Sequence, residues 1–584
     1  MFGWTGKLAI INLSKNEIKF NEPPLELYLK FIGGRGLAGF FLKPYITLEW
    51  DNGLIPLLLF TGPLVGTISP TSGRMTMMSK SPLTGTIGDS SVGGKFGTML
   101  KKAGFDGVII TGKSEYLCGI EITDDDIKIN RVEHLKNKSI SYVHSIIKDK
   151  GSTAIIGPAA ENGVLFSSII IDGHFASGRS GIGLTMAEKK IKYITAFGTK
   201  KIKISDFDEL KKAREEIVRL TSASPALFGN FGISRFGTGA LYDLIDSRHM
   251  MPTLNFKKIN FEYASSMNAH AYKKKYNPKS IGCSGCHILC KKITDDGTAI
   301  PEYETMSHFS ALIGNNDIEA VVQANKICNE VGMDTISAAS TIACFLEVSN
   351  KKLSPSEILS LLEDIGNKKG IGAELGMGSA NYAEIKGNKD TSMSVKKLEL
   401  PAYDPRGAYG MALAYATSTR GGCHLRAYPI SHEILRKPVA TDRFTFAGKA
   451  RIIKISEDLN AAADSLTACK FIFFAATLEE YARVFSAVTG IKMFGQDILK
   501  AGERIYYNEI IMNSMNGFNS KHDDLPKRFF ELESVNKEIK PLNREAFLLA
   551  RSNYYKVRGL NENGNPSFEK TKELGIDDDL WKIS

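Results

Sequence analysis

The sequence has no apolar stretch long enough to cross a bilayer. Its most hydrophobic window, GLIPLLLFTGPLVG, is short and broken by Gly and Pro. No basic region followed by an apolar run and a small-residue cleavage site opens the chain. MFGWTGKLAIINLSKNEIKF therefore does not read as a secretory leader, and a cytoplasmic location is expected. No basic run is interleaved with aromatics, so nucleic-acid binding has no support. Low-complexity tracts and long linkers are missing too. Cysteine is sparse, eight in 584 residues, which excludes a disulfide scaffold in a reducing compartment. The charge imbalance is mild: 74 Lys and Arg against 64 Asp and Glu leave +10. That is compatible with an acidic partner, and more simply the mark of a lysine-rich solvated surface.

What is present is an ordinary globular composition, 43% hydrophobic and 24% charged, on a chain long enough for two to four domains. Residues 1–203 are rich in Gly and β-formers, and KLAIINL, MTMMS, GVIITG and SSIIID are predicted as short strands joined by glycine turns. They also contain an internal repeat. GTMLKKAGFDGVIITGK, starting at Gly97, resembles GLTMAEKKIKYITAFGTK, starting at Gly183, with TGPL at Thr61 and IGPA at Ile156 upstream of each copy. Duplicated sheets forming one domain are the inference. From Ser205 onward apolar residues recur at intervals of three and four, as in FDELKKAREEIVRLTSA and DIEAVVQANKICNEVG, which predicts helices. SPSEILSLLEDIGNKKG begins with Ser354 and has Glu357 three residues later, the pattern of a capping box. REAFLLARSNYYKVRGLNENGNP is predicted as a last helix ending in a Gly/Asn turn. The expected class is α+β, divided as a β-rich domain at 1–203 and two mostly helical domains at 204–395 and 396–584.

The sharpest local signal is GCSGCHILC, in which Cys283, Cys286 and Cys290 form a C-x2-C-x3-C triplet. Three thiolates this close can clasp three irons of a cubane cluster and leave the fourth to a distant ligand. A zinc site, the competing reading, normally has a second close pair of Cys or His, and none follows at the usual spacing. The best fourth ligand is Cys469, 179 positions beyond Cys290. Cys328 and Cys344 sit on helix-like stretches and read as core residues.

These segments resemble the tungsten-dependent aldehyde:ferredoxin oxidoreductase family over almost the whole chain. The resemblance is carried by GWTGKLAIINLSKNEI, GGRGLAGFFL, TGPLVGTISPTSGRMTMMSKSPLTGTIGDSSVGGKFG, GCSGCHILC, PEYET, DPRGAYGMALAYATSTRGGCHLRAYP, ADSLTACKF, LPKRFF and YYKVRGLNENGNP. It implies a β-rich base domain and two helical domains enclosing a tungsten (or molybdenum) bis-pterin, with Mg2+ bridging the pterin phosphates and a [4Fe–4S] cluster alongside. The paired glycine-rich segments GDSSVGGKFG and SGRSGIG are expected to offer backbone N–H groups to phosphate as loops leading into helices.

By motif position the resemblance places Arg74, Ser91 and Gly93 against the pterins from the first half, and Arg179, Ser180, Gly181 and Gly183 from the second. Arg suits such positions because its planar fork grips phosphate and carbonyl groups. A family D-x-x-G-(L/M)-(C/D) motif occurs as NEVGMD, Asn329 to Asp334, and as DSLTAC, Asp464 to Cys469, with Ala468 beside the cluster ligand. Asn329 stands where Asp is the rule, and Thr467 and Ala468 replace Gly-Leu. An Asn accepts through its carbonyl oxygen but brings no charge. Glu304 in PEYET and His424 in GGCHLR match the acid–base residues near the metal, and Arg426 matches a basic pterin contact. Glu302 is expected to serve packing or a helix start. Gln323 and Glu374 fall near the iron ligands that some relatives place at a dimer interface, which weakens an iron-bridged dimer; a homodimer of another kind stays compatible.

The expected reaction is oxidation of a small aldehyde to a carboxylic acid with water as oxygen source, electrons leaving through the cluster to ferredoxin. Glu304 is expected as general base and His424 as hydrogen-bond donor to the carbonyl oxygen. Two alternatives stand beside it: the same cofactors used for acid or acyl reduction, and a diverged scaffold that keeps the cluster without the metal pterin.

Overall fold

The β-formers of the first third fold into two six-stranded sheets of identical connectivity. The first contains β1 (Leu8–Asn12), β2 (Glu17–Asn21), β3 (Leu57–Phe60), β4 (Met75–Lys80), β5 (Ile87–Val92) and β6 (Gly107–Thr111), in the order β2-β1-β6-β3-β4-β5. The second contains β7 (Cys118–Ile122), β8 (Ile127–Arg131), β9 (Ser152–Ile156), β10 (Ile169–Ile171), β11 (Phe175–Ser177) and β12 (Ile191–Ala196), in the order β8-β7-β12-β9-β10-β11. Raising each label of the first sheet by six gives the second. Each sheet has one parallel pair, β1 with β6 and β7 with β12, at the same place in the order. The repeat seen at Gly97 and Gly183 is the helix that precedes the sixth strand of each sheet, Phe96–Lys102 and Ile182–Glu188. This computed structural model describes residues 1–124, 126–531 and 539–577.

The sheets pack face to face. Leu57, Leu59, Met77 and Val108 of the first meet Ile120, Ala154, Ile169 and Ile194 of the second in a shared core. The intervening residues Leu58, Phe60, Met78 and Ile109 point the other way, into a core shared with the helices of the last third. Side chains alternate along a strand, so a strand covered on both faces is apolar throughout, which explains why LLLF in β3 is fully buried. Each such Leu contributes about 1.5–3 kcal/mol on leaving water.

Beyond β12 the described residues form helices and only four further, two- or three-residue strands. Ser354 and Glu357 form the expected capping box at the start of Pro355–Asn367. Arg544–Arg558 ends at Gly559, as expected. The longest helices, Lys449–Leu466 and Gly495–Met515, lie against each other and against the first sheet. Phe207–Ser222, though next to the sheets in sequence, packs on Leu478–Thr489 near the far end of the chain. Among the described residues no helix is long and apolar enough to cross a membrane.

The duplication reaches beyond the sheets. A Cβ on Gly62 of TGPL would lie 2.6 Å from Ser465 O, at the end of Lys449–Leu466. Its counterpart Gly157 of IGPA meets Val331 and Gly332, at the end of Ile318–Val331. Both helices stop on a left-handed residue, Gly332 (φ 76°) and Thr467 (φ 60°). Two residues later, the Asp334 N–H donates to Phe166 O and the Cys469 N–H to Thr71 O, each at 3.0 Å. Phe166 lies between β9 and β10, and Thr71 between β3 and β4. The two copies of the hexapeptide are therefore hooked onto equivalent loops of the two sheets. Thr467 keeps a backbone conformation that favours Gly, so the DSLTAC departure leaves the turn intact.

Candidate active site

The cysteine triplet lies on a loop between the short strands Lys279–Ile281 and Lys291–Ile293. This loop rests on the first half of the β domain. Ser284 N–H donates to Gly94 O at 3.2 Å, and a Cβ on Gly93 would collide with Cys283 Sγ, so only Gly lets the loop approach. Cys469 arrives through its hook on Thr71. Burial pushes the Cys469 thiol up to about 11. Burial likewise raises Cys290, helped by Glu302 and by the other three cysteines of the group. Arg74 is the cation among them. Its burial alone would lower its pKa, but Cys469, Cys283, Asp464 and Cys290 together hold it above its ordinary value. Its Nε donates to Ser91 Oγ at 3.0 Å and its Nη2 to Ser91 O. Glu302 precedes Tyr303–Phe309 as its N-cap and pairs with Lys291 at 3.3 Å, the helix-start role expected of it.

The second half supplies a matching arginine. Arg179 donates to Gly422 O at 2.8 Å and Glu399 O at 2.6 Å, while its Nε lies 3.4 Å from Asp334 Oδ2 without a hydrogen bond. Asp334 caps Thr335–Ser349, accepting from the N–H groups of Ile336 and Ser337. Ser180 has φ 75° and a buried hydroxyl with no partner. Gly181, at φ 73°, approaches Leu165 O more closely than a Cβ would permit. Gly183 packs against Ser167 and Ser168, 2.8 Å from where its Cβ would be. The segment GDSSVGGKFG differs from its expectation as a loop. Ile87–Val92 is β5, paired with β4 along its whole length, and only Gly93 to Lys95 form the turn before the helix. SGRSGIG is the loop that was expected, between β11 and Ile182–Glu188.

Arg426 is wholly engaged by the protein. It forms a fork–fork pair with Asp89, Nη1 to Oδ2 at 3.0 Å and Nη2 to Oδ1, and donates through Nε to Thr419 at 3.1 Å. Glu509 lies 3.5 Å from Arg426 and 2.5 Å from Arg35, whose Nη1 is 3.4 Å from Asp464 Oδ2. Lys470 completes the chain, 2.8 Å from the same Asp464 oxygen, and Asp464 Oδ1 is buried without a partner. Burial opposes the Asp89 charge, yet Arg426, Arg420 and Arg35 hold its carboxyl below the usual range. Asn329 does not join this arrangement. It lies in the last turn of Ile318–Val331, half-buried and without a side-chain hydrogen bond among the described residues. Ala468 N–H closes the turn on Ala463 O at 2.9 Å.

Glu304 and His424 come together from distant parts of the chain, Oε1 to Nε2 at 3.5 Å. Glu304 Oε2 accepts from Ala402 N–H at 2.8 Å, while Glu304 Oε1 and His424 Nδ1 are buried with no hydrogen-bond partner. Burial pushes the Glu304 carboxyl up to about 8; the Ala402 N–H and Arg179 oppose this, and Asp334 and Cys423 reinforce it. Burial, followed by Arg179 and Arg420, drives His424 well below its ordinary value, so its ring is neutral. His308 behind them is likewise pushed down to about 4 by burial; its Nδ1 lies 2.7 Å from Glu304 O and its Nε2 3.2 Å from Leu400 O, and the single N–H of the neutral ring can donate to one of the two. Cys423 accepts from Arg420 Nε at 3.1 Å and Leu425 N–H at 3.2 Å. Burial raises its thiol, but Arg420, Arg426 and Arg179 outweigh that and set it below the usual value.

The residues fit the groups that the resemblance implies. Four thiols match the one-per-iron ligation of a cubane cluster. Among the described residues no three His, Cys, Asp or Glu side chains close on one point as the ligands of a single ion would. Buried polar atoms in folded proteins almost always have partners. Asp464 Oδ1, Ser180 Oγ, Arg179 Nε, Glu304 Oε1 and His424 Nδ1 lack one, and a polar cofactor with its substrate would satisfy such a set. Asp89, Arg35, Glu509, Cys423 and Lys470 were not singled out in the sequence. For all but Glu509, which lies outside the quoted segments, the signal was a charge or thiol inside them, as in GGRGLAGFFL and GGCHLR, and only the fold shows which charges meet. Gln323 is exposed, and Glu374 is paired with Lys386 at 2.6 Å.

A duplicated β base followed by helical domains is the architecture of a family of oxidoreductases, and two family models match it. Residues 8–198 match the N-terminal domain of aldehyde ferredoxin oxidoreductase, and residues 212–576 match its domains 2 and 3. The tungsten-containing aldehyde ferredoxin oxidoreductases of Thermococcus kodakarensis and Pyrococcus furiosus are each 37% identical to the chain, covering 99% of it and 99% of their own length. A WOR-like subunit of an aliphatic sulfonate oxidoreductase from Pyrococcus furiosus is 26% identical over 99% of the chain and 97% of its own. Among solved structures, the active site complex BamBC of benzoyl coenzyme A reductase superposes with a TM-score of 0.84 at 21% identity, covering 99% of this chain and 97% of that one; this likeness shows the fold. The chain belongs to the tungsten-containing aldehyde ferredoxin oxidoreductase family, and membership implies a tungsten pterin.

Proposed function

We propose that the chain oxidises an aldehyde to a carboxylate with water as the oxygen source and passes the electrons through a [4Fe–4S] cluster to ferredoxin. The balance is RCHO + H2O → RCOO⁻ + 3 H⁺ + 2 e⁻. The observation that carries the reading is the Glu304–His424 pair, buried 3.5 Å apart with one unpartnered polar atom on each. A tungsten bis-pterin with its Mg2+ would supply the two-electron acceptor and the Lewis acid.

The protein supplies the proton chemistry. With its carboxyl pushed up to about 8, Glu304 is a base matched to work near neutral pH. Ala402 N–H fixes Oε2, so Oε1 is the oxygen free to take a proton from water or the hydrated aldehyde. His424, neutral, can donate one ring N–H to the carbonyl oxygen as negative charge grows there. Arg179, Asp334, Ser180 and Gly181 would hold one pterin. Asp464, with Arg74, Ser91 and Gly93, would hold the other beside the cysteines. Arg426 contributes at one remove, through Asp89 and Glu509.

The test is anaerobic purification from tungsten-supplied cells and measurement of aldehyde-dependent viologen reduction, with H2(18)O to label the product. Incorporation of one water oxygen per carboxylate is expected. A protein with about one tungsten and about four irons per chain that oxidises no aldehyde would overturn the proposal.

A further inference from the structure

A surface cavity of about 610 Å³ opens beside the cysteine loop, lined by Phe231, Arg235, Phe236, His270, Lys273 and Lys274 among others, with no acidic side chain in its wall. Phe231 is 72% exposed. Arg235 and Lys273 lie over the Phe236 ring, at 6.0 and 4.9 Å from its centroid, and the His270 ring is 4.3 Å from it. Arg235, Lys273 and Lys274 form no salt bridge among the described residues. An exposed phenylalanine among three cations without salt-bridge partners has the aromatic and Arg content of an interface.

The cavity is joined to the cysteines by short links. Gly237, next to Phe236, packs on Cys290 O, 2.7 Å from where its Cβ would be. Lys292 Nζ donates to both Ser234 O and Leu289 O at 2.8 Å, tying the cavity wall to the loop. On the same side Phe228 stacks on His287, within the triplet, at 5.8 Å and 11°. Leu289, within the triplet, is 38% exposed, so the loop reaches the surface here.

We infer that this basic, aromatic concavity is the docking surface for an acidic one-electron carrier protein, and that electrons leave the chain through the Cys283–Cys290 loop at this face. The inference rests on the ferredoxin reading above. Each aldehyde oxidised releases two electrons, so two oxidised ferredoxin clusters must each accept one at this face in turn. A short-lived electron-transfer encounter needs only a small contact, and opposite charge steers it.

The probe is an acidic bacterial two-cluster ferredoxin, used with the metal-loaded protein and with the triple variant Arg235→Glu, Lys273→Glu, Lys274→Glu. The variant should bind oxidised ferredoxin about tenfold or more weakly at low salt, with a flatter salt dependence. Its KM for ferredoxin should rise in parallel, while viologen-linked aldehyde oxidation and iron per chain stay unchanged. Phe231→Ser, which alters no charge, should weaken binding at high salt as well. Wild-type affinity and KM in both variants would overturn the docking site and leave the reaction standing. A wild type that oxidises aldehyde with viologen but neither binds nor reduces ferredoxin would overturn the partner and the docking site together. Ferredoxin binding that is lost in the triple variant, from a protein with no aldehyde activity, would uphold the surface and sink the reaction.

Discussion

Replacing Glu304 with Gln tests the proton chemistry directly. The carboxyl is buried, and its value of about 8 leaves only about a tenth of the molecules ionised at pH 7. If the ionised form is the base, the rate of the chemical step should climb about tenfold between pH 7 and pH 9 and level off above that. Gln keeps the shape and can still accept from Ala402 N–H through its carbonyl oxygen, so folding and metal content should hold. It has no proton-accepting oxygen of useful basicity, so the rate should fall by about 10²–10⁴ and lose its rise with pH. Stability should move the other way. The folded pKa is raised above the unfolded 4.5, so the wild type loses stability relative to the variant as pH rises from about 4.5 through about 8, and the gap is constant above. Single-turnover aldehyde oxidation, followed optically from pH 6 to 9.5, isolates the chemical step. A Gln variant with full metal that keeps a tenth or more of the wild-type rate, or a wild-type rate flat across that range, would refute the reasoning.

Three other perturbations follow from the site. Cys423→Ala removes the sulfur whose charged form helps raise the Glu304 carboxyl, so the rise in activity should move to lower pH; Cys423→Ser should do the same while keeping the Arg420 contact, and an unmoved profile would sink the electrostatic account. Cys469→Ser should lower iron from about four to about three per chain and produce the electron paramagnetic resonance signal of a three-iron cluster; four irons with an unaltered signal would remove Cys469 from the ligand set. Asp89→Asn strands the buried Arg426 guanidinium beside a neutral amide and should cost about 3–5 kcal/mol in denaturant unfolding, whereas a loss under about 1 kcal/mol would mean that Glu509 alone carries that charge.

Much of this was legible in the chain because it depends on local order. Strand runs such as MTMMS and the capping box at Ser354 are set by near neighbours, and the structure reproduces both. The repeat was visible at Gly97 and Gly183, where close packing admits little but Gly. GDSS misled because glycine and serine also suit a strand that must pass a crowded neighbour, and pairing with β4 decided the matter. The Asp89–Arg426–Glu509–Arg35 network was illegible because its members lie up to 474 positions apart. A lone charge in an apolar segment announces a partner without naming it. The companion of Glu304 was likewise invisible from spacing alone, and family resemblance supplied His424.

The two hexapeptide hooks have a further consequence. Duplication built a frame whose halves are near copies in shape: the same strand order, the same proline turn under a helix end, the same backbone hook. At the hook itself the copies part, for one ends in the carboxylate of Asp334 and the other in the thiol of Cys469. A symmetric scaffold has no front and back. That single difference gives this one a polarity, with Glu304 and His424 on the Asp334 side and the cysteine triplet with Cys469 on the other. On the proposed reaction, protons taken up near Glu304 and electrons leaving near Cys469 would depart by separate doors, a direction set by one unlike residue in a matched pair.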